Sequence, residues 1–260
     1  MPLTYTKYLQ VDELLKLQQP LSDDPEHDEM LFIITHQVYE LWFKQIIHEL
    51  NDFQSSLNQQ NLPTAMRNLK RVLHILKVLV AQMDIIETLS PVSFRAFRDR
   101  LENSSGFQSA QFREIEFILG RRNANVLIHY PAGEETRIRL EALLHQPSLW
   151  DSFLHSINAS GYAVPESELT RDLTKPPELN DAVQQQLVKI YQDQSLLTQL
   201  CEQMIDLDEG LQEWRYRHIK MVERTIGNKI GSGGSSGVDY LYKTLLAPLF
   251  PDLWAIRNKL

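Results

Sequence analysis

From Asn180 to Ile226 nothing in the chain ends a helix except Gly210, and this stretch limits the fold more than any other. Its apolar residues Leu187, Ile190, Leu197, Leu200, Met204, Leu207, Leu211 and Trp214 keep the spacing of one helical face. A strand cannot use that spacing, because its side chains alternate between faces at every residue. An unbroken helix of this length would span roughly 70 Å. The pattern therefore predicts two long helices, or one bent near Gly210.

The rest of the chain keeps the same period. Asp28 to Leu57 reads as a helix with Leu31, Ile34, Val38, Leu41 and Trp42 as its buried stripe. Phe32, His36, Tyr39 and Glu40 lie on a neighbouring face. Pro63 suits the first turn of a helix reaching about Leu89. Ser90 and Pro91 stop that helix and start a shorter one, as N-cap and first helical residue. Phe107 to Leu119 form another, closed by Gly120. Residues 121–165 hold two or three short helices, broken at Pro131-Ala132-Gly133, Pro147 and Gly161. Residues 166–179, with Lys175-Pro176-Pro177, are linker-like, but the composition is alike on both sides, so they read as a loop within one domain. A last helix runs from about Val238 to Leu249 and ends before Pro251. No strand alternation is present. The expectation is an all-α chain: residues 1–260 as one helical-bundle domain of long antiparallel helices, with residues 1–20 as an N-terminal arm.

At 260 residues with 43% apolar and 23% charged content, the chain can bury a large core. A net charge of −8 argues against nucleic acid as a partner, which would need clustered Lys and Arg. The lone Cys201 forms no internal disulfide and suits a reducing compartment. The start, MPLTYTKYLQVDELL, lacks a signal-peptide pattern, and no apolar run approaches the ~18 residues of a membrane span. The expected location is cytoplasmic, with no membrane contact.

Three places carry chemistry. Trp214 to Gly237 puts His218 on a helical run that stops at Gly227, followed by the loop Gly231-Ser232-Gly233-Gly234-Ser235-Ser236-Gly237. Four glycines in seven residues let main-chain N–H groups crowd a ligand. On the residues alone, His218 is either a metal ligand or an ordinary helix histidine, and the loop either a binding loop or a linker. A phosphate loop is excluded, because Val238-Asp239-Tyr240 stand where Lys and Ser/Thr are required. His36 sits among apolar residues, as a core histidine bonded to a carbonyl would. Phe94, Arg98 and Leu101 fall at i, i+4 and i+7, on one side of a short helix. Arg98 either snorkels or pairs with Asp99 or Glu102, or it stands at a pocket wall to grip a carboxylate at two points. Tyr5 and Tyr8 are surface aromatics, or part of an arm that docks on another subunit.

The run from His27 to Gln37 (HDEMLFIITHQ), the run from Phe97-Arg98-Asp99 through Ser104-Ser105-Gly106-Phe107-Gln108-Ser109, and the stretch from Arg217-His218 to Gly237 together resemble the tryptophan 2,3-dioxygenase family. The likeness extends from Leu3-Thr4-Tyr5 to Phe250-Pro251. It implies an all-helical fold enclosing a haem b pocket, and opening of the indole ring of L-tryptophan by O₂ to give N-formylkynurenine. By the same resemblance His218 matches the proximal ligand of the haem iron, and His36 the distal histidine that hydrogen-bonds the indole N–H. Arg98 matches the arginine that binds the substrate carboxylate. Phe32, Phe94 and Leu101 match pocket walls, and Ser105, Gly106 and Phe112 match positions near the haem. Ser232 matches the loop residue at the amino-acid end of the substrate. Tyr5, Tyr8 and Leu9 match an arm that reaches a neighbouring subunit's pocket in a homotetramer. Two positions depart from the family. Ser232 stands where threonine is usual and so lacks a rotamer-fixing methyl. Phe112 stands where tyrosine is common, which removes one hydroxyl. Two other readings remain: a haem enzyme of the same fold adding one oxygen atom to another aromatic substrate, and a helical protein that binds haem without turnover or serves as a scaffold.

Overall fold

The computed structural model describes residues 2–22, 24, 26–101, 108–227, 242 and 245–260. Two short helices, α1 (Tyr5–Leu9) and α2 (Val11–Leu14), precede the long α3 (His27–Asn58) and α4 (Leu62–Ile86). After these come α5 (Pro91–Arg98), α6 (Ala110–Ile118), α7 (Glu135–Leu144), α8 (Leu149–Ala159), α9 (Glu166–Leu169), α10 (Asp181–Asp193), α11 (Leu196–Ile226) and α12 (Pro251–Ala255). No strand occurs among the described residues. No described helix is long and apolar enough to cross a membrane.

A three-residue connection turns α3 back on itself into α4, where the Asn61 side chain accepts the Thr64 N–H and Pro63 fills the first turn. The pair is antiparallel, and α11 packs along α4. Phe53, Leu57, Leu69, Leu79, Met83, Leu200 and Met204 are almost completely buried between the three. Each such side chain stabilises the bundle by roughly 1.5–3 kcal/mol relative to exposure. The same core continues into α8 and α10, on both sides of residues 166–179.

Three expectations need correction. The buried face of α3 is Tyr39, Phe43, Ile46, Leu50, Phe53 and Leu57, whereas Ile34 and Leu41 are 44% and 53% exposed. The helix carries apolar residues on two faces, and the one that continues to its C-terminal end is the one that packs. The 180–226 run breaks at Gln194-Ser195, not Gly210. Gln194 takes the left-handed conformation (φ 49°), and the Ser195 hydroxyl accepts the Leu197 N–H to start α11. Gly210 stays inside α11, beside Leu76 of α4. Lastly, the helix that ends before Pro251 is not the last, because Pro251 opens a further one, α12. Most of the helix expected over Val238 to Leu249 lies outside the described residues.

Asp208 on α11 clasps the C-terminal segment. Its Oδ2 accepts from Leu249 N (2.8 Å), Phe250 N (3.2 Å) and Trp254 Nε1 (2.9 Å) in a buried setting. Asp208→Ala strands two buried donors and one part-buried donor, and each buried one costs roughly 1–3 kcal/mol. The expected loss is at least ~2 kcal/mol, a fall in melting temperature of roughly 4–8 °C by calorimetry. A melt unchanged within a degree would show that the clasp carries no stability.

At the other terminus, buried Glu29 accepts from Leu21 N (2.7 Å), Ser22 N (3.1 Å) and the Ser22 hydroxyl. Burial opposes ionisation there, but these donors hold the carboxyl below its ordinary range. The root of the arm is thereby fixed to the start of α3. Tyr5 and Tyr8 beyond it are 76% and 71% exposed, and Leu9 is exposed with them.

Candidate functional site

Helix α5 begins as its sequence dictates, with Ser90 Oγ accepting from Ser93 N and Pro91 in the first turn. Phe97 is fully buried and pins the helix to the core. Its ring lies 5.6 Å from Phe32 of α3 and 5.5 Å from Phe94, and Phe32 lies 5.8 Å from Phe94. Arg98 is half-buried at the C-terminal end of α5. Beyond it the chain tightens into a 3₁₀ turn over Asp99–Leu101. Leu101 therefore leaves the i+7 register expected of one continuous helix, though it still packs half-buried on the main core.

The Phe32 ring also lies 4.1 Å from the His36 imidazole. His36 Nδ1 is 2.7 Å from Phe32 O. A carbonyl can only accept, so Nδ1 carries the hydrogen and Nε2 presents a lone pair. Burial lowers the pKa of this ring, with the Phe32 bond and the Glu40 charge opposing. His36 is thus a neutral acceptor at neutral pH.

His218 sits midway along the C-terminal half of α11. The Trp214 indole, one turn earlier, stacks on it at 5.3 Å and 5°. Phe112 of α6 lies 5.0 Å from Trp214, and Phe43 of α3 meets it edge-on. Burial pushes the His218 pKa down to about 4, and charge on His36, Arg215 and Arg113 pushes it the same way. His218 is therefore neutral near pH 7 with a free lone pair on its ring, and both histidines are half-buried.

Positive charge flanks the same wall. Arg215 Nη2 donates to Glu116 Oε1 at 2.7 Å, and Arg113 pairs with the other oxygen of that carboxylate. Both guanidiniums lie against the Phe112 ring, at 6.0 and 5.6 Å from its centroid.

Among the described residues no group of three or more His, Cys, Asp or Glu could hold a bare metal ion. One neutral imidazole in an aromatic wall fits a metal already held by a planar macrocycle, which needs a single axial protein ligand and keeps its other face open. The aromatic rings suit the apolar body of a haem. The donor set present therefore fits the group.

Of the expected site residues, Phe32, His36 and Phe94 form one cluster, and His218 and Phe112 form a second through Trp214. Ser105, Gly106 and Ser232 lie outside the described residues. Tyr242, just past the glycine-serine loop, accepts from Lys220 Nζ at 2.8 Å and donates to Glu223 Oε1 at 2.9 Å, so it returns to the last turns of α11. Phe97, Tyr39 and the ring-stacking role of Trp214 were not anticipated. Their signal was helical spacing from residues already singled out: Phe97 at Phe94+3, Tyr39 at His36+3, Trp214 at His218−4.

The sequence pattern of the family described as Tryptophan 2,3-dioxygenase matches residues 1–145 and 180–260. A tryptophan 2,3-dioxygenase of Herpetosiphon aurantiacus is 54% identical over 258 residues, covering 99% of this chain and 98% of that protein. One from Anaeromyxobacter sp. is 52% identical, covering 99% and 96%. One from Bacillus thuringiensis subsp. konkukian is 44% identical, covering 99% and 93%. With both the family pattern and near-complete relatives in agreement, the chain belongs to the tryptophan 2,3-dioxygenase family.

Proposed function

We propose that the protein is a haem b-dependent dioxygenase that adds both atoms of O₂ across the indole C2=C3 bond of L-tryptophan, giving N-formylkynurenine. The observation that supports this reading is a pair of neutral imidazoles, His36 on α3 and His218 on α11, each packed on an aromatic ring. Bound haem would supply the iron at which O₂ is activated. His218 would hold that iron through the lone pair of its neutral ring. His36 Nε2, unprotonated because Nδ1 is committed to Phe32 O, accepts the indole N–H and so fixes which edge of the ring meets the oxygen. Its role is positioning, because it arrives at the site as an acceptor already in place. Phe32 and Phe94 pack on the indole, Leu101 closes the wall, and Arg98 holds the carboxylate by its two-pronged guanidinium. Ser232 takes the amino end of the substrate, and Ser105, Gly106 and Phe112 lie at the haem.

The exposed Tyr5, Tyr8 and Leu9 serve a neighbouring subunit's pocket in a homotetramer, and the protein acts in the cytoplasm. An uncovered apolar arm rooted at Glu29 supports this assignment.

Turnover under oxygen-18 gas tests the reaction. Two labelled atoms in the product are expected, and one labelled atom would replace the dioxygenase reading by mono-oxygenation.

The lowered pKa of His36 gives a pH prediction. Its ordinary value is 6.5 and the folded value lies below that, so the ring stays neutral on the alkaline side and charges only in acid. KM for L-tryptophan is expected to be flat from pH 8 down to 6.5 and to rise below that range. A rise already under way between pH 8 and 7, measured by steady-state kinetics, would contradict the neutral-acceptor role.

A further inference from the structure

Two buried hydrogen bonds join α3 to α4 on either side of His36. Gln82 Nε2 donates to Thr35 O at 3.0 Å, and the Tyr39 hydroxyl donates to Leu79 O at 2.8 Å. The Tyr39 ring also meets Trp214 edge-on, at 6.4 Å and 66°, and Trp214 lies parallel to His218. Tyr39 thus touches the helix that faces it and the indole that orients His218, one turn from His36.

The Trp214 N–H is buried and makes no hydrogen bond. A stranded buried donor costs roughly 1–3 kcal/mol, and folded proteins seldom keep one without a use. The group it faces is the Tyr39 hydroxyl, although the two fall short of hydrogen-bond geometry. That hydroxyl has spent its single hydrogen on Leu79 O, so its lone pairs remain for a donor. Trp214 also makes ring contacts with Tyr39, Phe43 and Phe112, which fix its position better than its tilt.

We infer that Tyr39 is a positioning residue for His218: through Trp214 it fixes the tilt of the imidazole that would hold the haem. The inference goes beyond the proposed function and rests on its assignment of His218 as the axial ligand. A parallel ring at 5.3 Å leaves the imidazole little freedom to rotate, so whatever fixes the indole plane also fixes the direction of the donor lone pair.

The test uses full-length protein loaded with haem, as wild type, Tyr39→Phe, Trp214→Phe, the double variant and Gln82→Leu. The readouts are the iron–histidine stretching band of the ferrous protein by resonance Raman, and the rate of haem loss to excess apomyoglobin. Tyr39→Phe is expected to shift the band and speed haem loss several-fold. It should lower kcat while leaving KM for L-tryptophan within about twofold. Trp214→Phe should do at least as much, and the double variant should match Trp214→Phe alone, because one residue acts through the other. Gln82→Leu breaks the second α3–α4 bond without touching Trp214, and should lower the melting temperature with the band unmoved. A Tyr39→Phe protein with the wild-type band and haem-loss rate overturns the inference. So does a double variant whose effects add, or a Gln82→Leu protein with the same band shift. A wild type that shows no Soret band on loading defeats the axial-ligand reading itself, which separates the two failures.

Discussion

His218→Ala is expected to give a folded protein that no longer holds haem. The Soret band is lost on gel filtration, and L-tryptophan turnover falls to the rate of free haem. On the proposed reading His218 would be the protein donor to the iron, and alanine leaves a methyl where its lone pair stood. The chain itself should tolerate the change. His218 is only half-buried, so the stability of the apo-protein should shift by less than ~1 kcal/mol. Added imidazole should enter the vacated space and restore part of the band. Retention of stoichiometric haem by the variant without imidazole would remove His218 from the axial position.

Arg98→Ala is expected to lower kcat/KM for L-tryptophan by roughly 10²–10⁴, because two charge-assisted hydrogen bonds of ~1.5–3 kcal/mol each are removed. The haem spectrum should not change. Phe97, buried next in the chain, continues to hold α5 against the core, so the loss should be one of recognition and not of fold. Arg98→Lys keeps the charge without the planar fork and should recover only part of the efficiency. Wild-type efficiency in the alanine variant, measured by initial rates across a range of L-tryptophan, would end the carboxylate role.

Much of the scaffold could be read from periodicity, because an amphipathic helix needs only its own spacing to declare itself. The caps at Asn61, Ser90, Asn180 and Gly227 show the same local logic. What failed was anything decided by a neighbour. The packed face of α3 depends on where α4 and α11 lie, and two apolar stripes on one helix look alike in sequence. Gly210 resembles a breaker until Leu76 is found against it. Gln194 in a left-handed conformation leaves no mark in composition. At the site, the motif residues identified the two histidines and the aromatic wall, whereas the tautomer of His36 followed only from the 2.7 Å contact with Phe32 O. The buried link from Tyr39 through Trp214 joins residues 175 positions apart, and no local pattern connects them.

The central claim is that His218 and His36 stand on opposite sides of one haem, the first holding its iron and the second directing the indole. Its most direct test is to mix reduced, haem-loaded protein with L-tryptophan and O₂ and follow the near-ultraviolet absorbance of N-formylkynurenine. The account predicts that this absorbance grows with L-tryptophan and vanishes in His218→Ala. A well-formed Soret band with no product from the wild type, or product that persists undiminished in His218→Ala, would contradict it.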